Sequence, residues 1–146
     1  MAFPPEADFI SSSPEETMLA GEKIGFYLKP GDIIALNGSL GAGKTVFTQG
    51  IARSLGVKEA VKSPTYTIIS EYEAAEMPFY HMDMYRLAND DDFRLAGGGD
   101  LLYGQGVCVV EWAEKISLPS SSFFITLEII EGEKRRICCK VPQNRF

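Results

Sequence analysis

The sequence predicts an α/β fold in which a sheet with a parallel centre and an antiparallel edge is flanked by helices. Three observations predict it. Residues 33–36 form a short apolar run between turn residues, which is typical of a strand buried on both faces. Apolar residues with helical spacing follow at 47–55. Near the end of the chain, two strand-like runs, 123–130 and 136–141, flank Gly132 and predict an antiparallel hairpin.

Length and composition indicate one globular domain. The chain has 146 residues, of which 45% are hydrophobic and 23% are charged, unlike the polar mix of disordered proteins. Its formal net charge is −6, which argues against autonomous binding of a nucleic-acid backbone. We therefore expect any nucleic acid to be presented by a partner protein.

The same composition predicts a cytoplasmic location. Residues 1–16 carry four acidic side chains and no Lys or Arg, so the basic start of a secretory or transit peptide is missing. No apolar run approaches the roughly 18 residues that cross a bilayer. Cys108, Cys138 and Cys139 have no metal-ligand spacing and cannot form a complete disulfide set, so we expect reduced thiols.

The first helix has a clear start signal. Ser13 is predicted to be its N-cap, Pro14 its first residue and Glu16 the partner in a capping box. Helical spacing continues to about Leu28, and Pro30-Gly31 then ends the helix.

The middle of the chain alternates strands with short irregular pieces. Strands are predicted at 67–72, 79–84 and 107–110. Residues 89–95 indicate a short helix with an acidic start, whereas Gly97–Gly99 is expected to be a flexible connection.

Residues 38–45, Gly-Ser-Leu-Gly-Ala-Gly-Lys-Thr, match the P-loop pattern G-x-x-x-x-G-K-[ST] between a predicted strand and a predicted helix. Glycines let such a loop wrap, so that its backbone N–H groups and the positive end of the helix surround a polyphosphate. Lys44 would reach the β- and γ-phosphates, and the Thr45 hydroxyl would ligate Mg²⁺. The predicted nucleotide-binding residues are Ser39, Leu40, Gly41, Ala42, Gly43, Lys44, Thr45 and Val46.

Hydrolysis needs a second group on the metal, and Glu111 is the candidate. It closes the apolar strand 107–110 at the carboxyl end, where ligands of α/β sheets collect. The alternative is an ordinary exposed acid at a strand end. The neighbouring Trp112 can contact the nucleotide or a partner, or it can be an aromatic core anchor.

Two other segments carry candidate catalytic groups. Residues 63–67, Ser-Pro-Thr-Tyr-Thr, occupy the place of a switch segment, in which Thr65 is the preferred hydroxyl, although a simple Ser-Pro turn is the more common structure. Strand alternation puts His81 and Asp83 on one side of the strand 79–84. Asp83 can position water or the metal, and a structural hydrogen bond is an equally good interpretation of the pair.

Motifs that are absent from the sequence limit which nucleotide the site is expected to bind. Neither D-x-x-G nor N-K-x-D occurs, so the guanine-reading elements of GTPases are missing and ATP is favoured by elimination. The basic cluster Lys134–Arg136 lies at the predicted hairpin turn, where a solvent-exposed tip is the preferred interpretation.

Taken together, these motifs resemble the TsaE family of small P-loop ATPases, which act in bacterial tRNA threonylcarbamoyladenosine synthesis. The matching pieces are Glu15-Glu16-Thr17, the P-loop at 38–45, S-P-T-Y-T at 63–67, H-M-D-M-Y-R-L at 81–87 and V-E-W-A-E at 110–114. The resemblance spans residues 15–116. Two departures are Gly97–Leu102, where a more acidic and aromatic helix is expected, and Ala113, where the family often has Pro.

The resemblance implies a P-loop NTPase-like sheet forming a single P-loop ATPase domain over residues 1–146, with residues 1–12 poorly ordered. It implies ATP and Mg²⁺ as cofactors, weak hydrolysis stimulated by the TsaB and TsaD proteins, and modification of the adenosine beside the tRNA anticodon. Contact with tRNA would come only through that complex, with no membrane and no stable DNA binding. The implied catalytic residues are Asp83, Lys44, Glu111 and Thr65, and the implied metal ligands are Thr45 and Glu111. A small-metabolite phosphotransferase and a non-catalytic nucleotide-dependent binding module remain open alternatives.

Overall fold

The computed structural model describes residues 6–39, 41–62, 64, 68–87 and 89–142. The strands within these residues are β1 (Glu6–Ser11), β2 (Ile33–Gly38), β3 (Ile69–Tyr72), β4 (Phe79–Asp83), β5 (Val107–Glu111), β6 (Phe123–Glu131) and β7 (Lys134–Lys140). The helices are α1 (Pro14–Gly25), α2 (Lys44–Ser54), α3 (Asp90–Leu95) and α4 (Gly98–Leu102), followed by one 3₁₀ turn at Ala113–Lys115.

All seven described strands join one sheet in the order β1-β7-β6-β2-β5-β4-β3. The central pairs β6–β2, β2–β5 and β5–β4 are parallel. The outer pairs β1–β7, β7–β6 and β4–β3 are antiparallel. The parallel centre with antiparallel strands at its edges confirms the predicted fold class.

Helices cover both faces of the sheet, which explains the continuous apolar runs of its central strands. On one face Ile34 and Leu36 of β2 pack with Phe47 and Ile51 of α2. The opposite face of β2 joins a second cluster that includes Phe93 of α3 and Leu102 of α4. Among the described residues, no helix is long and apolar enough to cross a bilayer.

The predicted N-cap of α1 is confirmed. The Ser13 hydroxyl accepts a hydrogen bond from the Glu16 amide at 3.1 Å, and Pro14 is the first helical residue. The predicted capping box is shifted by one residue, because the Glu16 carboxylate accepts from the amide of Ser12 at 3.0 Å and not from that of the N-cap Ser13. The helix ends at Gly25, earlier than predicted, but Leu28 is still buried in the same core.

Residues 6–11 form a strand although the sequence predicts none before α1, and the poor order expected of residues 1–12 stays a prediction. This strand is β1, which pairs antiparallel with β7 from Glu6 opposite Lys140 to Ser11 opposite Arg135. The buried Ser11 hydroxyl also lies 2.7 Å from the Thr17 hydroxyl of α1. These partners lie in other elements, which is why the local sequence gives little sign of a strand.

The expectation of a flexible connection at Gly97–Gly99 is wrong. Gly97 has φ 85° and separates α3 from α4, which begins at Gly98. A Cβ on Gly98 would lie 2.1 Å from the Phe93 ring, so the glycine lets that ring pack closely beneath the helix. The acidic helix start is confirmed, because the Asn89 side chain caps α3 through the Asp92 amide.

Candidate nucleotide-binding site

The loop between β2 and α2 has the strand–loop–helix context that the P-loop motif predicts. Gly41 and Gly43 have φ values of 80° and 98°, in the left-handed region that glycine adopts without strain. The Ala42 amide donates to the Ser39 carbonyl at 3.1 Å and tightens the turn. Gly43 is the N-cap of α2, so the helix begins at Lys44. Leu40 lies outside the described residues.

Lys44 sits at the junction of α2 and the carboxyl end of β5. Its Nζ lies 3.7 Å from Oε1 of Glu111 and 5.3 Å from the centre of the Trp112 ring. The side chain is 11% exposed, so its charge lies in a partly desolvated place. Thr45 and Val46 follow in the first turn of α2.

Glu111 is buried at the end of β5, which argues against the ordinary exposed acid. It is only 5% exposed and lies beside Leu36 of β2 and Asp83 of β4 in the parallel register. Its Oε2 atom lies 2.5 Å from Nε2 of His81. One carboxylate oxygen therefore faces His81 and the other faces Lys44.

His81 and Asp83 have separate partners, contrary to the interpretation of a hydrogen bond between them. His81 is fully buried, and its Nε2 must carry the proton because the Glu111 carboxylate only accepts. Asp83 Oδ1 accepts from the Tyr85 amide at 2.9 Å, which turns the chain after β4. Since Asp83 is the register neighbour of Glu111, both carboxylates lie at one end of the sheet.

Trp112 lies between the core and the candidate site. It packs on the core cluster that includes Met82 and also lies against Lys44 and Tyr85, with the two aromatic ring centres 4.9 Å apart. Its φ of 57° is the only positive value of a non-glycine residue in the described ranges. A bulky side chain in this region costs on the order of 1–3 kcal/mol and is often found at functional sites.

A cleft of 180 Å³ opens between these groups, at the carboxyl ends of β2 and β5. It is lined by Leu36, Asn37, Gly38, Lys44, Trp112 and Glu114. Open α/β sheets bind ligands at this end of their strands. Lys44 therefore lies on this cleft and contacts Glu111, and Asp83 lies beside Glu111 on the neighbouring strand.

The donor set fits magnesium bound through a nucleotide. The described residues contain no cluster of three or more His, Cys, Asp or Glu side chains that could hold a metal alone. Mg²⁺ is commonly held by one or two protein oxygens together with phosphates and water. The Thr45 hydroxyl and the Glu111 carboxylate are ligands of that kind.

Thr65 cannot be placed in this site, because it lies outside the described residues, as do Ser63, Tyr66 and Thr67. Pro64 is described, and the chain is next described from Ile68, just before β3. The switch segment stays a prediction.

Sequence reasoning missed Arg135, which was expected at a solvent-exposed hairpin tip. Its Nε lies 3.2 Å from the Ala42 carbonyl, and its Nη2 lies 3.3 Å from the Gly41 carbonyl. No local pattern links residues that are 93 and 94 positions apart in the chain.

Comparisons with known proteins relate the chain to one family. The family model "Threonylcarbamoyl adenosine biosynthesis protein TsaE" matches residues 11–137. The chain is 42% identical to the tRNA threonylcarbamoyladenosine biosynthesis protein TsaE of Bacillus subtilis, covering 92% of this chain and 85% of that protein. It is 39% identical to the protein of the same name from Treponema pallidum, covering 88% and 96%.

A solved structure extends the likeness to the fold. The crystal structure of YdiB from Bacillus subtilis superposes with a TM-score of 0.77 at 34% identity, covering 100% of this chain and 92% of that one. With the family match, the related sequences and the shared fold in agreement, the chain belongs to the TsaE family of threonylcarbamoyl adenosine biosynthesis proteins.

Proposed function

We propose that this chain binds ATP with Mg²⁺ and hydrolyses it in support of threonylcarbamoyl modification of the adenosine next to the anticodon in tRNA. The observation that carries the proposal is the contact between Lys44, which lines the cleft, and the buried carboxylate of Glu111, with Nζ 3.7 Å from Oε1. A P-loop lysine beside a strand-end carboxylate is the pairing that phosphoryl-transfer sites require. Family membership supports the link to tRNA modification.

The phosphates would lie against the N-terminus of α2. Backbone N–H groups of residues 43–46 face that position in a P-loop, and the helix dipole favours negative charge there. Lys44 would exchange its contact with Glu111 for the β- and γ-phosphates. That exchange frees the Oε1 atom of Glu111 for the metal.

Magnesium would be held by the Thr45 hydroxyl and by Glu111, together with phosphate oxygens. When bound, the ion neutralises the charge that develops on the transferred phosphoryl group. The His81 N–H keeps one oxygen of Glu111 occupied, so the carboxylate presents its other oxygen to the site.

Asp83 is the candidate for orienting the attacking water. It lies at the end of β4 beside Glu111, and the Tyr85 amide fixes its Oδ1 atom. Thr65 would contribute a hydroxyl from the predicted switch segment.

Partner proteins are part of the proposal. A chain with a net charge of −6 is poorly suited to hold tRNA by itself. We infer that TsaB and TsaD present the tRNA and stimulate hydrolysis.

Calorimetric titration with Mg·ATP tests the binding step. Lys44→Ala removes the charge that faces the phosphates, and we expect at least a roughly tenfold weaker affinity, the size of a lost hydrogen bond to a charged group. Lys58→Ala is the matched control, because it removes the same charge from an exposed position outside the cleft. Unchanged affinity in Lys44→Ala would contradict the proposal.

Measurement of ATP turnover tests the hydrolysis step. We expect slow ATP hydrolysis by the chain alone and faster hydrolysis with TsaB and TsaD. Equal rates in both conditions, with ADP formation that depends on an added small-molecule acceptor, would indicate a phosphotransferase instead. Tight ATP binding without turnover in the presence of both partners would indicate a binding module.

A further inference from the structure

Arg135 reaches from the start of β7 to the loop that precedes α2. Its guanidinium group donates to two loop carbonyls, with Nε 3.2 Å from the Ala42 oxygen and Nη2 3.3 Å from the Gly41 oxygen. We propose that Arg135 is a positioning residue that holds the P-loop in its phosphate-binding shape. The inference rests on the proposed nucleotide site and adds to it a residue outside the P-loop motif.

The guanidinium group is anchored on its other side. Nη1 donates to the Gly132 carbonyl at 2.6 Å and to the Lys134 carbonyl at 3.2 Å, so the hairpin turn between β6 and β7 fixes its position. Arginine presents its donors in a planar, rigid fork, which suits simultaneous contact with several fixed acceptors. Arg135 therefore links two carbonyls of the hairpin turn with two carbonyls of the P-loop.

The contacts from Arg135 also set the direction of a backbone N–H group in the loop, that of Gly43. In a trans peptide the C=O and N–H bonds point to opposite sides. The peptide whose carbonyl belongs to Ala42 has its N–H on Gly43, so a bond from Arg135 to that carbonyl turns the Gly43 N–H away from the hairpin. That N–H belongs to the N-cap of α2, next to where the phosphates would lie.

Among the described residues of the loop, Ala42 is buried in the core, whereas Gly41 has no such packing. Gly41 is exposed, and a Cβ placed on it would meet no atom within 4 Å, so side-chain packing does not restrain it. Glycine also has the largest backbone freedom of any residue, which an unrestrained loop would have to lose on binding phosphate. Two charge-assisted hydrogen bonds from Arg135 restrict that freedom before the ligand arrives.

Three variants separate the effect of loop geometry on ligand affinity from the effect of charge. Arg135→Ala removes the bonds and the charge, and Arg135→Lys keeps the charge but not the fork. Arg136→Ala removes an equal charge from the next, exposed residue. Affinity for Mg·ATP and for inorganic tripolyphosphate is measured by calorimetry well below the unfolding temperature of each variant, so that a general loss of stability does not enter the affinity.

We expect Arg135→Ala to lower the affinity for both ligands by about the same factor, about tenfold. The factor should be the same because both ligands bind through the same loop. Most of that loss should persist in Arg135→Lys, and Arg136→Ala should bind like the unmodified chain. Equal losses in Arg135→Ala and Arg136→Ala, or full affinity in Arg135→Lys, would show a charge effect only and overturn the inference.

Hydrogen exchange of the ligand-free protein tests the restraint directly. The Ala42 amide, bonded to Ser39, should exchange several times faster in Arg135→Ala, while the Val109 amide in β5 serves as the internal reference. Unchanged exchange at residues 41–43 would contradict the inference. If the unmodified chain binds neither ligand, the proposed function fails, and the exchange experiment still decides whether Arg135 holds the loop.

Discussion

The imidazole of His81 donates through Nε2 to Oε2 of Glu111 at 2.5 Å, beneath the cleft that Lys44 enters. His81 is fully buried and Glu111 is 5% exposed, so water cannot readily replace either partner. The opposite imidazole nitrogen, Nδ1, has no hydrogen-bond partner in the described part of the chain. The contact fixes one oxygen of the Glu111 carboxylate, and we expect it to orient the other oxygen toward Lys44.

Replacing His81 should raise the Mg²⁺ concentration that nucleotide binding requires. His81→Leu leaves a buried carboxylate oxygen without its donor, a loss of about 1–3 kcal/mol, whereas the amide of His81→Gln can still donate. We expect the half-saturating Mg²⁺ concentration, measured by titration at fixed ATP, to rise from the unmodified chain to His81→Gln and again to His81→Leu. Glu111→Gln, which lacks the anionic ligand, sets the upper limit. The same Mg²⁺ requirement in all four proteins would refute an orienting role for His81.

Asp83→Asn should separate binding from hydrolysis. The amide keeps an oxygen that can accept from the Tyr85 amide, so the turn after β4 is retained. It lacks the charge that would orient water, and we expect near-normal ATP affinity with strongly reduced partner-stimulated turnover. Undiminished turnover would remove Asp83 from the catalytic residues.

The emission of Trp112, the single tryptophan of the chain, should change when Mg·ATP binds. Lys44 Nζ lies 5.3 Å from the indole centre and would move toward the phosphates, which alters the charge beside the ring. Lys44→Ala at the same nucleotide concentration is the control and should show little change. An invariant spectrum at saturating nucleotide would place the indole outside the responding site.

Gly50→Ala should destabilise the fold although alanine favours helices. A Cβ on Gly50 would lie 2.1 Å from the Met18 carbonyl, so α1 and α2 would have to move apart. We expect a loss of about 1–3 kcal/mol in urea unfolding. Gly99→Ala in α4 is the matched control: its Cβ meets nothing within 4 Å, and it should be neutral or stabilising by up to about 1 kcal/mol. Equal stabilities of the two variants would contradict the close packing of α1 on α2.

Alkaline pH should lower stability through the buried thiols. Burial raises the pKa of Cys108 from 9.0 to about 12, and burial does the same for Cys139. Above pH 9 the unfolded chain releases thiol protons that the folded chain retains, so the free energy of unfolding falls as pH rises toward 12. The free energy of unfolding, measured with urea, should fall less steeply between pH 9 and 10.5 in Cys108→Val than in the unmodified chain. An unchanged slope would show that Cys108 is not the group responsible.

Local patterns predicted those parts of the molecule that local interactions determine. The Ser13 cap depends on residues close in sequence, and the P-loop motif includes its own strand and helix context. Strand 107–110 pairs with distant strands, but its continuous apolar run alone indicates burial on both faces. The strand at residues 6–11 depends on hydrogen bonds from β7, more than a hundred residues later. The close contact of Gly98 with Phe93 and the bonds from Arg135 to Ala42 likewise arise only in the folded chain.

Strands that are synthesised early pair with strands that are synthesised later, so parts of the sheet form only after most of the chain has been made. The P-loop is synthesised before β6, which pairs with β2, and before Arg135, which contacts Gly41. Gly41 and Arg135 are separated by 94 positions, so at 5–20 residues per second the loop waits roughly 5 to 20 seconds for its arginine. The proposed nucleotide site can therefore form fully only after Arg135 has been synthesised. A nascent chain stalled before β7 would carry the complete P-loop motif without the hydrogen bonds from Arg135 to Gly41 and Ala42.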